Sequence, residues 1–134
     1  MYPLWIEDDL LDQPDEVKEA GRQMVDTLIA SGDEMFEVLR ENCDQGSVNG
    51  WYGTWSPGKH MQLQCDLSVM ISPNMFEEFI MEELGRTTKW LDYSIYHLDG
   101  IEQTRFLDML LSIKELNMIQ WTQVEGQPDV TENF

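Results

Sequence analysis

A chain of 134 residues, 42% of them hydrophobic, can build one packed core and has room for one domain at most. Its 26 acidic and 8 basic residues give a formal charge of -18, which argues against binding to nucleic-acid backbones or anionic membranes. No apolar run approaches the ~20 residues of a transmembrane helix and no basic segment opens the chain, so we predict a cytoplasmic protein.

The first third of the chain predicts a lead-in followed by one long helix. Residues 1–13 contain no run that is apolar and β-prone enough to form a strand. Residues 14–43 place apolar side chains near the helical period, and turn-forming residues follow at 42–46. Pro14 suits the first helical position, and Asp15 is favourable at the positive end of a helix.

Residues 47–60 combine glycines with the closely spaced aromatic residues Trp51, Tyr52 and Trp55. Two interpretations are open. The aromatic side chains form one wall of a ligand pocket, or the segment is a loop packed over the edge of a sheet. An extra strand at 48–53 is compatible with both.

The rest of the chain alternates strands and helices. The predicted elements are a strand at 61–67, a helix at 73–90 capped by Ser72, a strand at 93–96, a helix at 102–113 and a strand at 118–122. This order predicts an α/β fold with a parallel sheet, and residues 124–134 predict a flexible tail. Cys43 and Cys65 lie in unlike contexts and predict reduced thiols.

Three segments resemble the uroporphyrinogen decarboxylase-like superfamily, which includes uroporphyrinogen decarboxylase and methyltransferases that move a methyl group from a corrinoid to a thiol. They are ISPNMFEEF at 71–79, YSIYHLDG at 93–100 with its His-x-x-Gly ending, and IQWTQVEGQPD at 119–129. The resemblance covers about residues 14–127. It implies that residues 1–134 form the C-terminal portion of a (β/α)8 TIM-barrel-like fold, which typically takes ~250 residues.

Candidate site residues follow the predicted strands, because chemistry in such folds lies at the carboxyl ends of parallel strands. Asp66, His97 and Asp99 are the predicted catalytic residues: the aspartates as acid, base or metal ligand, and His97 as ligand or proton shuttle. Ser68 and Glu125 are predicted to bind substrate, together with the three aromatic residues of 47–60. The alternatives are a histidine bonded to a backbone carbonyl, a helix cap or Asx-turn at Asp66, and a flexible tail around Glu125.

The resemblance implies methyl transfer from a corrinoid or a related one-carbon carrier to a small-molecule substrate, in a chain that is incomplete as an enzyme at this length. The thiol-methylating members hold zinc through a His-x-Cys pair on the matching strand. Here the pair is His97 and Asp99, so zinc is the expected metal, and a partner protein is expected to carry the corrinoid.

Two alternative functions remain. A sheet of three or four parallel strands leaves two unpaired edges, which favours a non-catalytic half-barrel that forms a homodimer or completes the barrel of a partner chain. Decarboxylation of a porphyrinogen is less favoured, because that substrate is a polyanion and the chain has few arginines. Cys65 is not expected to act as a nucleophile, since the neighbouring Asp66 raises the pKa of its thiol.

Overall fold

A computed structural model describes residues 6–123, 125 and 126 of the chain. Its helices are α1 (Ile6–Asp12), α2 (Pro14–Leu39), α3 (Pro73–Phe79), α4 (Met81–Trp90) and α5 (Leu107–Leu111). Its strands are β1 (Ser47–Asn49), β2 (Thr54–Ser56), β3 (His60–Leu63), β4 (Tyr93–Asp99) and β5 (Met118–Thr122). Short 3-10 segments cover Arg40–Asn42, Asp66–Val69 and Ile101–Phe106. None of the described helices is long and apolar enough to cross a membrane.

The central element is a three-stranded parallel sheet in the order β3-β4-β5, which is also the order of the strands in the sequence. An α/β fold with parallel strands is therefore confirmed. The three strands do not close into a barrel, and in the described part of the chain no further strand pairs with the outer edge of β3 or β5. A two-stranded antiparallel hairpin, β1-β2, precedes this sheet.

One face of the sheet is covered by helices and is apolar. Tyr96 and Leu98 of β4 belong to the hydrophobic core, together with Phe76 of α3 and Leu110 of α5. Phe106 stacks on Phe76 with ring centroids 4.3 Å apart. Successive side chains of a strand point to opposite faces, so His97, which lies between Tyr96 and Leu98, and Asp99, which follows Leu98, point to the other face of the sheet.

That second surface is the polar face, which we define by His97, Asp99, Gln120 and Thr122. The register pairs His97 with Gln120 and Asp99 with Thr122, so these four side chains form two adjacent rows at the carboxyl ends of β4 and β5. Gly100 ends β4 with a φ of +78°, a backbone conformation that a side chain rarely adopts. β4 is three residues longer than the predicted strand because Leu98 is still buried in the core and Asp99 still pairs with β5.

Several predicted boundaries were wrong. The lead-in contains α1, and the helix predicted at 14–43 ends at Leu39, with a 3-10 segment after it. The helix predicted at 73–90 is interrupted at Ile80, whose φ of -108° departs from the usual helical value. The predicted cap is confirmed: the side chain of Ser72 accepts a hydrogen bond from the backbone nitrogen of Met75 at the start of α3. The helix predicted at 102–113 is divided between the 3-10 segment Ile101–Phe106 and the α-helix Leu107–Leu111, and the strand predicted at 61–67 ends at Leu63.

Helix α2 lies against α3 and α4 through ion pairs that connect different elements. Lys18 pairs with Glu78, Arg22 with Glu82, and Arg86 with Asp26. Only Gly21 and Val25 of its 26 residues are buried. Helix α2 is therefore attached by these ion pairs together with partly buried apolar side chains such as Val17.

Candidate ligand site on the polar face

Three side chains form a triangle of close polar contacts on the polar face. The Nδ1 atom of His97 lies 2.8 Å from the Tyr52 hydroxyl and 2.5 Å from Oε1 of Gln120. The Tyr52 hydroxyl also donates to Oε1 of Gln120 over 2.6 Å. His97 is 7% exposed. Its polar partners among the described residues are the side chains of Tyr52 and Gln120. The interpretation of a strand-end histidine bonded to a backbone carbonyl was therefore wrong.

The turn between β1 and β2 places Tyr52 in this triangle. The side-chain oxygen of Asn49 accepts hydrogen bonds from the backbone nitrogens of Trp51 and Tyr52 at 3.0 and 3.3 Å. Gly53 completes the turn with a φ of +63°. An Asx-type turn of this kind holds the two aromatic residues at the tip of the hairpin, where they reach the polar face.

Trp51 adds an aromatic surface beside the triangle. Its ring lies 5.8 Å from the His97 ring and 6.3 Å from the Tyr52 ring, and the side chain is 71% exposed. A large, exposed aromatic ring next to a buried histidine offers contact area to a ligand. The hairpin thus lies over the sheet, and binding of substrate by Trp51 and Tyr52 stays a prediction that the geometry permits.

Asp99 is exposed at the end of β4, close to Tyr52. Burial raises the pKa of the Tyr52 phenol, and the negative charge of Asp99 raises it further.

The backbone nitrogen of Asp99 donates to Oε1 of Gln103, whose amide nitrogen donates to the carbonyl oxygen of Cys65 at 3.4 Å. Gln103 is 2% exposed, so a buried amide connects the carboxyl ends of β3 and β4.

Asp66 lies in the segment that follows β3, and its side chain is exposed. Both of its carboxylate oxygens accept from the Gln64 side chain, at 3.2 and 3.3 Å, and Gln64 in turn accepts from Gln62. No side chain caps the 3-10 segment Asp66–Val69, so the interpretation of Asp66 as a helix cap was wrong. Its carboxylate is available to a ligand.

The other predicted site residues lie elsewhere. Ser68 is fully buried, and its carbonyl oxygen accepts from Arg105. Trp55 donates from its indole nitrogen to the carbonyl oxygen of Cys43 over 2.8 Å, away from His97. Glu125 is exposed in a turn after β5, and the rest of the predicted tail, 124 and 127–134, is outside the described residues. No described contact brings these three residues to the histidine.

The metal ligands predicted at His97 and Asp99 do not form a complete site by themselves. Structural and catalytic zinc sites in proteins use three or four protein ligands. Among the described residues, no group of three or more His, Cys, Asp or Glu side chains is placed to hold an ion. Zinc at His97 and Asp99 stays a prediction that requires further ligands from outside the described residues.

The arginines are bound to oxygen atoms on the helical side of the molecule. Arg22, Arg40 and Arg86 pair with glutamate or aspartate side chains. Arg105 donates to the carbonyl oxygens of Ser68, Val69 and Ile71, which holds the segment after β3 in place. No described contact brings an arginine to His97, as a polyanionic ligand there would need.

Cys65 lies on the apolar face at the end of β3. Burial raises the pKa of its thiol to about 11, and the nearby Asp66 contributes in the same direction. At neutral pH the thiol is protonated and is a poor nucleophile. Both cysteines are free thiols, as predicted.

Sequence reasoning missed Gln103 and Gln120. Gln120 is a polar residue inside the apolar segment MIQWT, and its position beside His97 is set by the register of β4 and β5. An isolated glutamine in an otherwise largely apolar strand was the available signal. Comparison with protein-family models, curated proteins and solved structures found no match to the chain.

Proposed function

We propose that the chain is the C-terminal part of a uroporphyrinogen decarboxylase-like barrel, and that its polar face is the wall that contacts ligand. The observation that carries the proposal is the division of the sheet into an apolar face under helices and a polar face with His97 at its centre. A parallel sheet normally has both faces covered by apolar contacts. In a (β/α)8 barrel the interior face is also packed with side chains, and the site lies at the carboxyl ends of the strands, where the polar face has its polar side chains.

The proposed reaction is methyl transfer from a corrinoid or a related one-carbon carrier to a small acceptor. When a protonated acceptor such as a thiol takes up a methyl group, its proton must leave. Nδ1 of His97 is hydrogen-bonded, whereas its Nε2 has no described partner, so Nε2 is the atom proposed to take that proton. Trp51 supplies apolar contact, and Asp66 and Asp99 are the acidic groups near the strand ends.

The cofactor and partner of this reaction are part of the proposal. The corrinoid is carried by a separate protein. Because the described residues do not complete a zinc site, the proton transfer is assigned to His97 and no step is assigned to a metal. Decarboxylation of a porphyrinogen is the least supported activity, since the arginines that would hold its carboxylates are bound elsewhere.

A second candidate function is favoured by the unpaired outer edges of β3 and β5. An unpaired strand edge presents free backbone groups to another strand. In this alternative the chain is a non-catalytic half-barrel that pairs with a second copy or completes the barrel of a partner chain.

The test of the proposed reaction measures methyl transfer from methylcobalamin to a small thiol. We expect the rate to fall by on the order of 10²–10⁴-fold in His97→Gln, the range for loss of a general base. His60→Gln is the matched control, because His60 is bonded to Thr54 and Tyr93 at the opposite end of the sheet. Equal rates in wild type and His97→Gln would contradict the role of His97.

Sedimentation equilibrium of the same sample tests the second candidate. A dimer that transfers no methyl group supports the half-barrel. A strictly monomeric chain without activity contradicts the homodimer and the catalytic proposal together.

A further inference from the structure

We infer that Gln120 is a positioning residue that holds His97 as the tautomer with its proton on Nδ1 and leaves Nε2 as the basic nitrogen. The inference rests on the proposed function in one respect only: the proposed proton transfer explains why a basic Nε2 would be needed. The hydrogen bonds of the triangle carry the inference itself.

The first step concerns the pair of atoms at the shortest distance. Nδ1 of His97 lies 2.5 Å from Oε1 of Gln120, and an amide oxygen can only accept a hydrogen bond. If Nδ1 had no proton, two lone pairs would face each other across this distance. The neutral ring must therefore carry its proton on Nδ1 and donate it to Gln120.

The second step concerns the orientation of the glutamine amide. Its nitrogen faces Thr122 and donates to the hydroxyl oxygen over 3.1 Å, so its oxygen faces His97. Because a threonine hydroxyl can both donate and accept, the wild-type NMR pattern described below tests this orientation together with the tautomer. Thr122 thus stabilises the orientation on which the tautomer depends.

The third step separates Tyr52 from Gln120. The amide oxygen has two lone pairs and accepts from Nδ1 of His97 and from the Tyr52 hydroxyl, which lies 2.6 Å away. Tyr52 has only one hydroxyl proton, and it goes to Gln120. Tyr52 also lies 2.8 Å from Nδ1, so without the glutamine oxygen its hydroxyl would donate to a bare Nδ1 instead.

The two partners therefore have different effects on the ring. Loss of the Gln120 oxygen allows Tyr52 to donate to Nδ1, and the ring proton moves to Nε2. Loss of the Tyr52 hydroxyl leaves the bond from Nδ1 to Gln120 in place, and the tautomer does not change. A residue that only fills space would not produce this contrast.

The experiment is a long-range proton–nitrogen NMR correlation on the chain labelled with ¹⁵N-histidine, at a pH where His97 is neutral. It distinguishes a protonated from a bare ring nitrogen by its nitrogen shift. The chain has two histidines, and His97→Asn identifies which signals belong to His97. His60 is the internal control, since none of the substitutions touches its contacts with Thr54 and Tyr93.

We expect wild type and Tyr52→Phe to show a protonated Nδ1 and a bare Nε2, and Gln120→Leu to show the reverse. Gln120→Glu keeps an acceptor oxygen and must keep the wild-type pattern, which maintains the test if the leucine variant does not fold. A protonated Nε2 in wild type overturns the inference, and so does an unchanged pattern in folded Gln120→Leu. The spectra need no substrate, so an absence of methyl transfer would reject the proposed function without affecting this result.

Discussion

The two faces of the sheet use the same strands in different ways. On the apolar face, Tyr96 and Leu98 are almost completely buried and contact aromatic side chains of the helical side. On the polar face, His97 is also buried, but its contacts are with the polar side chains of Tyr52 and Gln120, which lie 45 and 23 positions away in the sequence. The comparison shows that burial alone does not identify a core residue: one face buries apolar side chains, and the other holds a histidine among polar side chains.

Substitution in the apolar face is expected to have the largest effect on stability. Phe106 is 1% exposed and stacks on Phe76, so Phe106→Ala should lower the free energy of unfolding by about 3–5 kcal/mol through lost burial and a residual cavity. Urea unfolding measures the change. Phe106→Leu is the matched control and should lose less. A loss below about 1 kcal/mol in Phe106→Ala would show that this face is not the core.

The partly buried thiol of Cys65 on the apolar face gives a pH test. The pKa of the Cys65 thiol is 9.0 by reference and about 11 in the folded chain, so between these values the unfolded state loses its proton first. Stability should therefore fall as the pH rises from about 9 to 11, by about 2–3 kcal/mol in total, and be unaffected by this group below 9.

Urea unfolding at several pH values, compared between wild type and Cys65→Ala, isolates the contribution of this thiol. The variant should lose less stability over the same range. Parallel curves for the two proteins would mean that Cys65 is not buried as described.

Substitution at the end of β4 is expected to lower stability less than substitution of Phe106. Gly100 has a φ of +78°, so Gly100→Ala should cost about 1–2 kcal/mol of stability by forcing a side chain into an unfavourable conformation. Gly85→Ala is the matched control, because this glycine lies in α4 with open space around it and should gain up to about 1 kcal/mol. Thermal unfolding measures both, and equal shifts would contradict the assigned backbone conformation.

The smallest effect is expected on the polar face itself. Asp99→Asn removes the negative charge that raises the pKa of Tyr52, so this pKa should move down toward the ordinary tyrosine value without reaching it, because burial is the larger cause. Phenolate absorbance as a function of pH measures the shift, with Tyr52→Phe identifying the signal. An unchanged or higher pKa in Asp99→Asn would show that the two side chains do not interact.

Local sequence signals predicted the elements and named His97, Tyr52 and Trp51 as candidate residues, but they did not predict how these side chains contact one another. Ser72 and Pro73 mark the start of α3, and the β-prone residues of β4 and β5 predict parallel strands, because these signals lie within a few positions of one another. The interruption at Ile80 has no such signal. The contacts of Tyr52 and Gln120 with His97 depend on strand register and on the path of the hairpin, which are set by packing over long sequence separations.

The way in which α2 is attached has a consequence for the edge of the sheet. Its cross-element ion pairs join partly exposed side chains, and such pairs contribute little and weaken as ionic strength rises. Since Gly21 and Val25 are its only buried residues, α2 should be the first long helix to detach when salt is added or a protease samples open states. An open groove of about 750 Å³ lies between α2 and the end of β3, and detachment of α2 would widen it. The salt concentration would therefore decide how accessible this end of β3 is to solvent.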